Sequence, residues 1–131
     1  MNNNGKSVAK ALYDLQLSLD DVIVLHDDLD RRLGKLSWKC GGSAGGHNGV
    51  RSVIQCVGDD AFRRLRIGIG RPQHHDDTSV DVSDFVLSKF SSLQLDDVDE
   101  MVDRAVEMLI HQVVEPHAIT EVSEGEGDEE V

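Results

Sequence analysis

Apolar positions along the chain change rhythm several times, and each change predicts an element. Val8, Leu12 and Leu15 recur at helical spacing, so residues 7–17 are expected to form an amphipathic helix capped by Asn4 or Ser7. Val22-Ile23-Val24-Leu25 is short, continuous and mostly β-branched, the pattern of a strand buried on both faces of a parallel sheet. Leu36, Trp38 and Cys40 alternate loosely and predict a second strand over 34–40. Beyond a glycine-rich stretch, Val50, Val53, Ile54 and Val57 mark one face of a helix over 47–57, with Gly58 where a terminating glycine belongs. Residues 65–69 read as a third strand ending at Gly70, since Pro72 cannot continue a central strand.

Periodicity in the second half is clear in one place only. Residues 73–79 read as a polar loop, and Phe85-Val86-Leu87 fits a strand or a short helix equally. Ser92 is expected to cap a helix over 93–113, with Val98, Met101, Val102, Ala105, Val106, Leu109 and Ile110 as its buried stripe. From 121 to 131 there is little but glycine and acid, so this segment is expected to be a disordered tail. Strands and helices alternate, which predicts one α/β domain over 1–120 followed by the tail.

Length and composition agree with that picture. At 131 residues, 39% hydrophobic and 29% charged, the chain fits a single globular domain. Its longest apolar run, Val22 to Leu25, is far short of the roughly 18 residues of a membrane span. The first residues lack the pattern of a signal peptide or transit peptide, and no membrane partner is expected. Cys40 and Cys56 cannot build a disulfide scaffold and point to a reducing, intracellular compartment.

The net charge of −12 hides an internal division. Residues 91–131 hold 13 acids against Arg104 alone, whereas residues 1–90 balance 12 basic against 12 acidic groups. Within that first part, residues 31–71 carry nine basic groups opposed only by Asp59 and Asp60, a local excess of +7. Such a field gathers polyanions whatever the overall pI, although a charge run alone also fits a solvated basic face.

Three segments carry candidate chemistry. His26-Asp27-Asp28-Leu29-Asp30 follows a buried strand, where open α/β sheets place their sites. A carboxylate there can orient a histidine, but neighbouring strand residues point to opposite faces, so His26 and Asp27 are not expected to converge on a metal. Cys40 to Gly49 supplies glycines through which backbone N–H groups can approach a substrate, with a helix N-terminus behind them. No Gly-Lys-Ser/Thr closes this loop, which excludes the phosphate loop of nucleotide hydrolases. Gly41-Gly42-Ser43-Ala44-Gly45 also matches the nucleophile elbow of serine hydrolases. That elbow needs a helix directly after the serine, and Gly45, Gly46 and Gly49 oppose one at about 1 kcal/mol each. In Arg63-Arg64-Leu65-Arg66-Ile67-Gly68-Ile69-Gly70, alternation puts Arg64 and Arg66 on one face. Two adjacent guanidiniums call for an anion, and phosphate is the obvious one, with Lys39 able to join them.

Taken together, Met1 to Val8, His26 to Asp30, Gly41 to Gly49 and Arg64 to Gly70 resemble the bacterial-type peptidyl-tRNA hydrolases in order and spacing across residues 1 to about 110. The resemblance implies a monomeric α/β fold around a twisted mixed sheet flanked by helices. It implies hydrolysis of the ester joining a peptide to the terminal ribose of tRNA, with no metal or cofactor. It assigns Asp27 to orienting the catalytic histidine, and Asn2 and Asn48 to positioning substrate and water. His47, Gly45 and Gly46 would border the substrate cleft, while Lys39 and Arg66 hold the 5′-phosphate of the tRNA, joined by Arg64 on the strand reading above. The family pattern usually has glutamate where this chain has Asp28.

In the family, a segment carrying a central strand, a Gly-Asn-Pro-Gly turn and the catalytic histidine precedes the Met-Asn that opens this sequence. These 131 residues are therefore expected to be weakly active or inactive alone, and the flank of Val22–Leu25 to be left as an unpaired edge. A cytoplasmic location is expected, or a mitochondrial one if a targeting segment lies upstream. The competing readings are a non-catalytic RNA-binding relative and, behind it, a serine hydrolase using Ser43.

Overall fold

The computed structural model describes residues 3–71 and 82–114. Asn2, the polar loop expected over 73–79 and the tail 121–131 lie outside the described residues. Within them, β1 (Ile23–Asp28), β2 (Leu36–Cys40) and β3 (Arg63–Gly68) form one mixed sheet in the order β1-β3-β2. β1 runs parallel to β3, with Val24 beside Arg64 and His26 beside Arg66. β2 runs antiparallel to β3, with Lys39 opposite Arg64 and Trp38 opposite Leu65.

Side chains alternate across each strand, and here the two faces of the sheet differ in kind. Leu36, Trp38 and Leu65 form one face with Ile23 and Ile67, and bury against Met101, Ala105 and Met108 of α4 (Leu95–Val114). On the other face Val24 packs with Val50, Val53 and Phe62 beneath α2 (Asn48–Val57). His26, Asp28, Lys39, Arg64 and Arg66 share that second face by the same alternation. Helices thus cover both sides of a mixed sheet, the α/β architecture read from the sequence.

α1 (Asn4–Leu15) lies against α2 through a close contact at Gly5. The Gly5 N–H donates to Ser52 Oγ at 3.0 Å, and a Cβ at Gly5 would sit 2.0 Å from the Ser52 carbonyl oxygen. No larger residue permits this approach. α1 begins at Asn4 with Asn3 at its N-cap, so neither Asn4 nor Ser7 caps it. Of its expected stripe, Val8 joins the core whereas Leu15 is 66% exposed, because the end of the helix extends past its packing partners.

Other expectations need adjustment for physical reasons. β1 extends beyond the apolar run to Asp28 because β3 continues beside it as far as Gly68. Among the described residues β1 pairs with β3 alone, so it carries the open flank expected for it, and Leu25 is 47% exposed rather than buried on both faces. The segment around Phe85 is helical, as α3 (Val82–Val86). α4 starts at Leu95, not at 93, and turns a narrower stripe inward than expected. Met101, Ala105, Met108 and Gln112 are buried, while Val102, Val106 and Ile110 stay 47–58% exposed on its flank. Among the described residues no helix is long and apolar enough to cross a membrane.

Candidate anion-binding cleft

Between β2 and α2 the chain turns through residues 41–47 over the polar face of the sheet, and α2 opens at the end of that turn with His47 as its N-cap. Val50 N–H donates to His47 Nδ1 at 3.1 Å. The lone pair is therefore on Nδ1 and the ring proton on Nε2, which donates to Asp27 Oδ1 at 2.9 Å. Both ring nitrogens are occupied by the fold. The same hydrogen bond holds the Asp27 carboxyl below the usual carboxylate range, outweighing the opposite effect of its partial burial.

His26 sits beside this pair, its ring 4.9 Å from that of His47 and edge-on to it. Its Nδ1 lies 2.9 Å from the Asp27 carbonyl oxygen and donates to it, while Nε2 is buried with no hydrogen-bond partner. Burial is the main cause that pushes its pKa below the free value. His26 and Asp27 thus meet at one site despite strand alternation, because His47 reaches in from the loop to touch both. Among the described residues no group of three His, Cys, Asp or Glu side chains is placed to hold a metal ion.

These residues line a cleft of about 320 Å³ at the C-terminal end of β1, together with Gly45, Gly46, Lys39, Arg64 and Arg66. Its lining carries charges of both signs, Lys39, Arg64, Arg66 and Arg71 against Asp27, Asp28 and Asp30. Asp28 is engaged by Arg31, with 3.3 Å between Oδ2 and Nε. Lys39 has its pKa pushed down first by burial and then by the nearby Arg64 and Arg66, an effect that the carboxylate of Asp28 only partly offsets. Arg66 leans toward β2, its Nη2 donating to the Trp38 carbonyl at 3.3 Å.

Arg64 departs from what the sequence suggested. It is 1% exposed, and its guanidinium donates to the carbonyls of Gly42, Ser43 (2.7 Å) and Asp60 (3.4 Å). Its two terminal nitrogens are engaged by backbone, so direct contact with a phosphate would cost these bonds. Ser43 lines the cleft, but α2 starts only at Asn48, so the strand–serine–helix geometry of a nucleophile elbow is absent.

Asp27, His47, Gly45, Gly46, Lys39 and Arg66 therefore converge on one cleft, with Arg64 at its base. Asn48 is exposed on the first turn of α2 and is not among the lining residues, and Asn2 lies outside the described residues. His26, from the same motif as Asp27, lines the cleft as well, although the sequence reading assigns it no role there. Its register beside Arg66, on the face that alternation gives to Arg64 and Arg66, is the signal that would have found it. Arg71 and Asp30, paired at the rim, also line the cleft and carried no such signal.

A family model described as peptidyl-tRNA hydrolase matches residues 1–127. The chain is 49% identical over 109 residues to the peptidyl-tRNA hydrolase of Citrifermentans bemidjiense, covering 83% of this chain and 55% of that relative. It is 42% identical over 113 residues to the probable peptidyl-tRNA hydrolase of Mus musculus, covering 86% of this chain and 53% of the mouse protein. The crystal structure of the peptidyl-tRNA hydrolase from Acinetobacter baumannii superimposes with a TM-score of 0.76 at 33% identity, over 94% of this chain and 61% of that one. The chain thus spans a little over half the length of these curated relatives.

Proposed function

Because the chain belongs to the peptidyl-tRNA hydrolase family, we propose that its cleft receives the acceptor end of peptidyl-tRNA, and that the domain over 1–120 does so as a cytoplasmic monomer without metal or cofactor. Lys39 and Arg66 hold the 5′-phosphate, whose charge offsets the repulsion that Arg64 and Arg66 add to burial in depressing the Lys39 pKa. Gly45 and Gly46 leave room for the substrate beside the loop, and Asn2 and Asn48 position substrate and water. Asp27, kept ionised by His47, is the acceptor that orients a catalytic imidazole.

In the reaction, water loses a proton to that imidazole and attacks the ester carbonyl carbon. The bond from that carbon to the ribose oxygen breaks, and the proton passes to the departing hydroxyl. Among the described residues the cleft-lining imidazoles are poor candidates for that base. His47 uses both nitrogens and the open Nε2 of His26 is buried. The described residues are accordingly better suited to binding than to cutting, and loss of a general base typically costs about 10²–10⁴ in rate. The same observation favours binding without turnover as the second reading.

The observation that carries the proposal is the shared cleft of Asp27 with the Lys39 and Arg66 cations. A tRNA acceptor minihelix with a 5′-phosphate should bind more tightly than the same RNA ending in a 5′-hydroxyl. Peptide release from peptidyl-tRNA, measured alongside, should be slow. Equal affinity for the two RNAs would refute the phosphate assignment.

A further inference from the structure

Arg64 is the buried charge that the phosphate reading does not use. Among the described residues it contacts no carboxylate in hydrogen-bonding range; its partners there are backbone carbonyls on two separate turns and the ring of Phe62, 4.8 Å from the guanidinium carbon. A guanidinium taken out of water is costly unless its donors are satisfied, so the turns that satisfy it are held in place by the same bonds. Two of the three carbonyls, those of Gly42 and Ser43, belong to the glycine-rich turn over the cleft.

That turn touches the cleft at both of its ends. Gly42 has φ of +100°, and a Cβ there would stand 2.9 Å from Lys39 Cε and 3.3 Å from Nζ, so the tip of Lys39 rests against it. Further along, the His47 N–H donates to the Ala44 carbonyl at 3.1 Å, and the His47 ring holds Asp27. We infer that Arg64 is a positioning residue: by latching Gly42 and Ser43 to β3 it sets where the Lys39 ammonium stands and keeps His47 on Asp27. This rests on the function proposed above only in naming what the cleft binds. The alternative is that Arg64 leaves its carbonyls and becomes a third ligand of the bound phosphate.

Two variants separate these. Arg64→Lys keeps the charge but loses the fork, and Arg64→Met loses both. Amide hydrogen exchange is read at Gly41, bonded to the Phe62 carbonyl at 3.1 Å, and at His47. A latch predicts that both variants speed exchange at these two amides by about tenfold or more, with β1 little changed. It also predicts that the preference for a 5′-phosphorylated minihelix falls together with loop protection. Native protection in both variants, or full rescue by lysine, overturns the latch.

The unaltered protein gives an independent reading if the variants fold poorly. With guanidinium nitrogens labelled, the Arg64 signals should exchange slowly and stay in place as the 5′-phosphorylated minihelix or inorganic phosphate is added, while those of Arg66 move. Movement of Arg64 equal to that of Arg66 would make it a ligand instead. Should neither RNA nor phosphate bind, the phosphate reading fails while the loop exchange still decides the latch.

Discussion

His47 performs two separable jobs, and replacing it measures both. As N-cap it accepts from Val50 N–H at 3.1 Å, and losing a good cap costs about 1 kcal/mol. As donor it reaches Asp27 at 2.9 Å, with the two side chains 17% and 26% exposed. A hydrogen bond to a charged group is worth roughly 1.5–3 kcal/mol, and partial solvation brings this pair down to about 1. His47→Ala should therefore destabilise by about 2 kcal/mol, a fall in Tm of roughly 6–10 °C for a domain of this size. His47→Asn restores the cap but is too short to reach Asp27, so it should recover about half of that loss. A cycle with Asp27→Ala, followed by urea denaturation, should give a coupling near 1 kcal/mol. If His47→Asn is as unstable as His47→Ala and the coupling vanishes, neither the tautomer nor the double role assigned to this ring survives. Peptide release adds a further check. Since neither nitrogen of His47 is open to water, His47→Ala should not produce the 10²–10⁴-fold rate loss typical of removing a base.

Three other outcomes follow from the same contacts. Burial holds the His26 pKa below 6.5, so as pH falls through 6.5 the unfolded chain takes up the proton first. Stability should be flat just above 6.5 and decline as the pH falls from there toward the folded-state value, and His26→Gln should remove that limb in denaturant titrations across pH 4–8. Gly5→Ala gains about 1 kcal/mol of helix propensity but drives a Cβ to 2.0 Å from the Ser52 carbonyl oxygen. The clash should win by about 2 kcal/mol or more in urea melts, and a stabilised variant would show that α1 is not seated on α2 as described. Lys39→Ala and Arg66→Ala should each lower the slope of log affinity for tRNA against log salt by about 1. An unchanged slope in both would remove these residues from the RNA interface.

Much of this architecture was readable because period and position coincide. Val50, Val53 and Gly58 placed α2 and its end, and the alternation of Leu36 with Trp38 placed β2 on the core. Depth was not readable. Alternation puts Arg64 and Arg66 on one face, yet only the turn folding back over β3 makes Arg64 buried and carbonyl-bound while Arg66 lines the cleft. Similarly, seven apolar positions on α4 gave a stripe wider than the sheet can cover, leaving Val102, Val106 and Ile110 exposed and admitting Gln112. The Asp27–His47 pair spans 20 residues, a separation at which no local pattern carries information about contact.

The sheet also explains how a strongly acidic chain keeps a cationic cleft. Lys39, Arg64 and Arg66 stand on the face beneath the glycine-rich turn, whereas α4 packs its apolar seam of Met101, Ala105 and Met108 against the opposite face. The acids of α4, Asp96, Asp97, Asp99, Glu100, Asp103 and Glu107, are thereby separated from the cleft by a layer on the order of 10 Å thick. At physiological ionic strength the Debye length is about 8 Å, so solvated charges that far away are largely screened, while the partly buried cations retain their mutual repulsion. Overall charge therefore governs long-range approach and the local layer governs capture. On the proposed function, a polyanion repelled by α4 would still be admitted at the cleft, with the acidic side restricting the orientations in which it can arrive.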